Sequence, residues 1–209
     1  MNNVKRLSEI EASPLQRCVT GFEELDWIYG YSVFSNRTEW GLPQGKISLW
    51  AGQCGVGKSR LCIDVAKNIA KSHVGAKVLY FQTESPLSDF ASWTTDTASY
   101  PNIFCSAEDK IDKIIEIIYQ VRPHVVFIDS VNAIEDFSGN AKSTDRLIKG
   151  IGDKPGLKKV ISDIGGHLIL LGQLNQDGKT IKGGTSLPHM VDVALDIVHF
   201  HKACFYVRV

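Results

Sequence analysis

The stretch Gly52-Gln-Cys-Gly-Val-Gly-Lys-Ser59 constrains this chain more than any other. It fits G-x-x-x-x-G-K-[S/T] at every position, the pattern of a loop that wraps phosphate groups. Each residue type has a reason to be there. Gly52, Gly55 and Gly57 let successive backbone N–H groups turn toward phosphate oxygens without a Cβ in the way. A helix beginning at the end of the loop adds its positive N-terminal end. Lys58 brings a compact charge to the β- and γ-phosphates, and Ser59 offers an oxygen to Mg²⁺. Gln53, Cys54, Val56 and Arg60 complete the stretch expected to contact nucleotide. By average residue frequencies the pattern arises by chance in roughly 1% of chains this long.

The context required is a strand before the loop and a helix after it, and both are legible. Ile47–Ala51 is a short apolar run. Leu61, Cys62, Val65, Ala66, Ile69 and Ala70 recur at helical spacing to about Ser72. Further on, 77–82, 124–128 and 168–171 read as strands. Ile111, Ile114, Ile115 and Ile118 mark one helix face, Leu157, Val160, Ile161 and Ile164 another, the latter stopped by Gly165-Gly166. Ser106 with Asp109 is a possible capping box for the first of these. Residues 1–19 read as an arm, 20–30 as a short helix and 31–45 as a loop rich in Gly and Pro. Residues 85–105 and 135–156 are interrupted by Pro or Gly, and 193–200 and 204–209 are two closing strands. The alternation predicts an α/β fold, with a mostly parallel central sheet flanked by helices and an antiparallel C-terminal edge. Residues 20–209 would be one core.

Composition sets the outer limits. The 209 residues bury about 70% of their unfolded surface on folding, enough for one core and thin for two. Lys plus Arg and Asp plus Glu both number 23, so the formal charge is zero. A globally basic coat for nucleic acid is excluded, though a local basic loop is not. The five cysteines are scattered and never form C-x-x-C, against a disulfide scaffold or zinc ribbon. The N-terminus has no apolar signal region, and no apolar run nears a bilayer-spanning length. These features predict a cytoplasmic protein with reduced thiols and no membrane partner.

Three strand ends carry candidate chemistry. Val125-Val-Phe-Ile-Asp129 places a carboxylate at the C-terminal edge of a buried strand, where an open α/β sheet binds ligands. There Asp129 would act with Ser59 on the magnesium side; otherwise it caps the next segment. Glu84 follows the 77–82 strand. It is either a general base facing the γ-phosphate, if its strand and the Asp129 strand neighbour the loop strand, or a helix-start glutamate beside Ser85 and Pro86. Gln173 ends the 168–172 strand, as a γ-phosphate sensor or as an ordinary polar strand end. The base-reading Asn-Lys-x-Asp element of GTPases is missing. Of the three histidines near the C-terminus, His189, His199 and His201, alternation puts the last two on one strand face, where a surface pair suits them better than a metal pair.

Taken together, these residues resemble a RecA-type P-loop ATPase, specifically the RadA/Sms family of DNA repair and recombination proteins. The resemblance rests on Thr20-Gly-Phe-Glu-Glu-Leu-Asp26, Gly41-Leu-Pro-Gln-Gly45, the phosphate loop and Val78-Leu-Tyr-Phe-Gln-Thr-Glu84. It continues through Phe127-Ile-Asp-Ser130, Leu171-Gly-Gln-Leu-Asn-Gln-Asp-Gly178 and His189-Met-Val-Asp192. It implies ATP and Mg²⁺ as ligands, ATP held between subunits of a homo-oligomeric ring or filament, Glu84 as catalytic carboxylate and Gln173 as sensor. It also implies that 176–187 faces single-stranded or branched DNA, with Lys179 and Lys182 on its phosphates. The family's four-cysteine zinc element, Lon-like domain and Lys-Asn-Arg-Phe-Gly motif have no counterpart in these residues. Lys202 or Arg208 could substitute for the basic group acting across the interface, and Arg60 would touch the α-phosphate or a neighbouring subunit. Residues 31–40 look like an insertion. A KaiC-like nucleotide switch and a DnaB-like helicase core are the alternative readings.

Overall fold

The structure, a computed structural model, describes residues 16–34, 37–73, 75–94, 96–134, 144–175, 180–182, 186–200 and 204–208. In chain order the elements begin with β1 (Arg17–Cys18), α1 (Glu23–Tyr29), β2 (Tyr31–Phe34), β3 (Arg37–Trp40), β4 (Leu42–Pro43), β5 (Lys46–Gly52) and α2 (Lys58–Ser72). Then come β6 (Val78–Gln82), α3 (Leu87–Trp93), β7 (Ile103–Ser106), α4 (Ile111–Val121), β8 (Val125–Asp129) and α5 (Thr144–Lys149). The last are β9 (Gly150–Ile151), β10 (Lys154–Pro155), α6 (Leu157–Ile164), β11 (His167–Gln173), β12 (Val193–Phe200) and β13 (Cys204–Arg208).

Seven strands form one sheet in the order β13-β12-β5-β11-β8-β6-β7. All neighbouring pairs are parallel except β12 with β13, so the antiparallel edge falls where the sequence predicts it. The inner strands are apolar along nearly their whole length because both faces are covered. Leu49, Leu79, Val126 and Leu168 pack on one face against α4, α5 and α6. Trp50, Tyr80, Phe127 and Leu171 pack on the other against α1 and α2. The isoleucine spacing of α4 is therefore a core stripe: Ile111, Ile114 and Ile118 are fully buried, each contributing about 1.5–3 kcal/mol of transfer free energy. Gly165 ends α6 in the left-handed region, at φ 68°.

Four local expectations are corrected. Residues 31–34, 37–40 and 42–43 are strand rather than loop: β2 and β3 form an antiparallel pair and β4 pairs with β1, since alternating Tyr31, Val33, Thr38 and Trp40 suit strands better than the Gly/Pro content of the segment suggests. Residues 85–105 hold α3 and an additional edge strand, β7. Ser106 does not cap α4. It ends β7, its hydroxyl accepts the Glu108 N–H at 3.1 Å, and Lys110 holds the cap position without a side-chain bond. Within 135–156, α5 and the β9–β10 hairpin are ordered elements, while 135–143 lie outside the described residues, as do residues 1–15 of the arm.

Two sequence signatures have structural roles. In Thr20–Asp26, the Asp26 carboxylate accepts the Thr20 N–H at 2.8 Å and locks the entry to α1. In His189–Asp192, Asp192 accepts the Ile47 N–H at 3.0 Å and pairs with Lys46 at 3.2 Å, pinning the start of the phosphate-loop strand.

Candidate functional site

The phosphate loop leaves β5 and turns into α2. Gly57, at φ 92°, caps the helix in a conformation that costs other residues strain. Gly52 is demanded by packing, because a Cβ there would sit 2.4 Å from the Ile197 carbonyl of β12. Lys58 Nζ donates to the Gly52 and Gln53 carbonyls at 3.0 and 2.9 Å. Its pKa is lowered by burial, against the pull of Asp129 and Glu84.

Asp129 ends β8 and is buried. Tyr80 Oη donates to its Oδ2 at 2.9 Å, and the Ser59 hydroxyl is its second hydrogen-bonded partner. Burial raises the carboxyl pKa and the Glu84 charge adds to the rise, while the Ser59 and Tyr80 bonds and Lys58 oppose it. A carboxylate and a hydroxyl oxygen in contact suit a hard cation such as Mg²⁺, so the residues present fit the ion that the phosphate loop implies.

Glu84 reaches the same cleft through a different route. Thr83 N–H donates to the Asp129 carbonyl at 2.8 Å, and the Thr83 hydroxyl and Ser130 backbone bond reciprocally at 2.9 and 3.0 Å. The Ser130 hydroxyl then donates to Glu84 Oε1. These bonds tie the ends of β6 and β8 together and hold Glu84 beside Asp129. The Asp129–Ser130 peptide is cis.

Cys54, Gly55, Gly57, Lys58, Ser59, Arg60, Glu84, Asp129, Ser130 and Gln173 line one cleft of about 410 Å³ at the C-terminal edge of the sheet. Gly52, Gln53 and Val56 stand in the loop just behind it. Neither β6 nor β8 adjoins the loop strand, as the reading of Glu84 supposed. Instead β11 lies between β5 and β8, pairing Gln173 with Gly52 and Leu171 with Asp129. Gln173 is therefore wedged between the phosphate loop and the carboxylates. Arg60 lines the cleft and pairs with Asp64 one turn along at 3.3 Å.

Sequence reasoning missed Asn132. Its Oδ1 accepts the Gln173 N–H at 3.1 Å and its Nδ2 donates to the Lys182 carbonyl. Lys182 N–H in turn donates to the Gln173 carbonyl at 2.7 Å, and its Nζ lies 3.5 Å from Gln173 Oε1. Leu174 bridges Ile181, and Asn175 bonds Thr180. The segment after β11 thus begins as a hairpin clamped onto Gln173. Only the position of Asn132, just past the Asp129 strand, signalled its place in sequence. Lys179 and most of 176–187 lie outside the described residues, as do Lys202, His201 and the side chains of His199 and Arg208. His189 is exposed, and among the described residues no His, Cys, Asp and Glu cluster could hold a metal.

A family profile described as "AAA domain" matches residues 35–177. The chain belongs to the AAA-domain family. The chain is also similar to the DNA repair protein RadA of Mycobacterium tuberculosis, 28% identical over 196 residues that cover 90% of this chain and 37% of that protein. RadA of Pseudomonas aeruginosa is 29% identical over 196 residues, covering 92% and 40%. The chain thus spans about two fifths of the length of these relatives. Among solved structures, a KaiC-like protein from Pyrococcus horikoshii matches with a TM-score of 0.65 at 19% identity, over 94% of this chain and 87% of that one. The fold is the RecA-like one that the sequence predicts. Among the described residues no helix is long and apolar enough to cross a membrane.

Proposed function

We propose that residues 20–209 form a Mg²⁺-dependent ATPase core that works on DNA in recombination or repair. The observation that carries this reading is the convergence of Lys58, Ser59, Asp129, Glu84 and Gln173 on one cleft. The first turn of α2 and the loop amides bind the phosphates. Lys58 exchanges its two loop carbonyls for phosphate oxygens. Ser59 and Asp129 would hold Mg²⁺, which would supply charge neutralisation to the phosphates. Glu84 accepts a proton from the water that attacks the γ-phosphorus. The new O–P bond forms as the bond to ADP breaks, and inorganic phosphate leaves. The Gln173 amide hydrogen-bonds the γ-phosphate and passes its position to Lys182 through the clamp it shares with Asn132. DNA is gripped by 176–187, where Lys179 and Lys182 meet its phosphates. Such a contact fits a chain of zero net charge if subunits of a ring or filament add their small contributions.

The test is ATP hydrolysis with and without single-stranded DNA, for the native chain and Glu84→Gln. Stimulation by DNA, together with about a hundredfold or greater loss in the variant, is expected of a general base. Equal rates in chain and variant would overturn the assignment of Glu84. The zero net charge also favours a second reading, a nucleotide switch with slow hydrolysis. ATP-driven assembly without DNA stimulation is its signature.

A further inference from the structure

The β2–β3 strand pair builds a surface that the ATPase reading does not use. Alternation along the β2–β3 hairpin places Tyr31, Val33, Thr38 and Trp40 on one face, with Tyr31 directly opposite Trp40. The Tyr31 and Trp40 rings lie 4.9 Å apart, and Trp27 of α1 extends the stack at 5.3 Å from Trp40. The stack is not covered: Trp27, Val33 and Tyr31 are 65%, 59% and 57% exposed. At about 150–250 Å² per aromatic side chain, the two outer rings alone leave roughly 250 Å² of ring surface in water. With the exposed Val33 side chain added, the patch reaches the lower end of the roughly 300–600 Å² of the largest patch on a typical monomer, which is often functional.

The surroundings select the ligand. Trp27 and Trp40 share a shallow concavity with Glu23 and Asp26, and Glu24 is exposed on the same short helix. The Arg17 guanidinium donates to the Ser32 hydroxyl and to the carbonyls of Tyr29, Gly30 and Gly41. Arg37 alternates onto the hairpin face opposite Trp40. Aromatic faces beside carboxylates attract cations, through the ring quadrupole and by direct charge. The same carboxylates repel a phosphate backbone, which argues against stacked nucleotides here.

We propose that the Trp27–Trp40–Tyr31 stack and Glu23 form a docking site for a basic segment of a partner protein, seating an arginine or lysine side chain on the exposed indole. The probe is a labelled oligo-arginine peptide followed by fluorescence anisotropy, with labelled oligothymidylate as the contrasting arm. Trp27→Leu removes the ring, and because Trp27 is largely solvent-exposed the variant is expected to fold, which circular dichroism checks. Peptide affinity should fall roughly three- to tenfold in Trp27→Leu and remain near native in Trp27→Phe. It should also weaken in Glu23→Gln, with oligothymidylate binding and ATP hydrolysis unchanged in all three. Equal peptide affinity in Trp27→Leu and the native chain overturns the proposal, as does no peptide binding at all. A loss of oligothymidylate binding instead makes the stack a nucleic-acid platform. A fall in mass by light scattering in Trp27→Leu makes it a self-association surface.

Discussion

Lowering the pH should weaken this fold through one buried histidine. His167 opens β11 and is fully buried, with Nδ1 2.7 Å from the Pro43 carbonyl and Nε2 2.8 Å from the Ser48 hydroxyl. Trp50 Nε1 donates to the Tyr29 hydroxyl at 2.7 Å, and Tyr29 is hydrogen-bonded to Ser48. An indole N–H only donates and a carbonyl only accepts. The chain Trp50, Tyr29, Ser48, His167, Pro43 is therefore satisfied in one direction, with Nδ1 protonated and Nε2 accepting. A second ring proton would turn Nε2 into a donor against Ser48 and bury a charge. Burial accordingly pushes the His167 pKa down to about 4 from 6.5, with the Pro43 bond opposing. The unfolded chain then takes up the proton first, so stability is intact above about pH 6.5 and is lost as pH falls toward 4. At about 1.4 kcal/mol per unit the full loss is about 3 kcal/mol, of which about 2 kcal/mol has gone by pH 5. Urea unfolding of the native chain and of His167→Gln at pH 7 and pH 5 measures it. The native chain should lose about 2 kcal/mol more than the variant between the two conditions. Equal losses, or an NMR titration of the His167 ring with a midpoint near 6.5, would refute the reasoning.

Two further outcomes follow from the site. Gly52→Ala drives a methyl to 2.4 Å from the Ile197 carbonyl; it should cost about 1–3 kcal/mol in thermal or urea unfolding and weaken binding of a fluorescent ATP analogue. Asn132→Ala removes one bond to Gln173 and one to Lys182; it should cost about 1–3 kcal/mol and reduce DNA stimulation of hydrolysis more than the basal rate, read from paired ATPase assays.

Much of this molecule follows from local pattern. The phosphate loop, the strand-end carboxylates and the βα alternation are consequences of residue type and spacing, because they depend on backbone freedom, helix polarity and periodic burial within one segment. Residues 47–51 and 58–72 are legible for that reason, and so is the antiparallel final edge. Where local signals conflict, the outcome lay elsewhere. The Gly and Pro content of 31–45 argues for loop, yet cross-strand pairing of Tyr31 with Trp40 makes a hairpin. Ser106 and Asp109 look like a cap, yet pairing of β7 with β6 claims Ser106 for a strand.

The sequence by itself determined which groups are available for chemistry: Lys58, Ser59, Glu84, Asp129 and Gln173. Only the tertiary structure decided how they meet. Strand order is a long-range outcome of packing, and it places β11 between β5 and β8, so that Gln173 lies against Gly52. The same order brings together Tyr80 with Asp129, Ser130 with Glu84 and Asn132 with Lys182, across separations of 49, 46 and 50 residues. No local spacing encodes these pairs, because each forms only after separate strands have found their neighbours in the sheet.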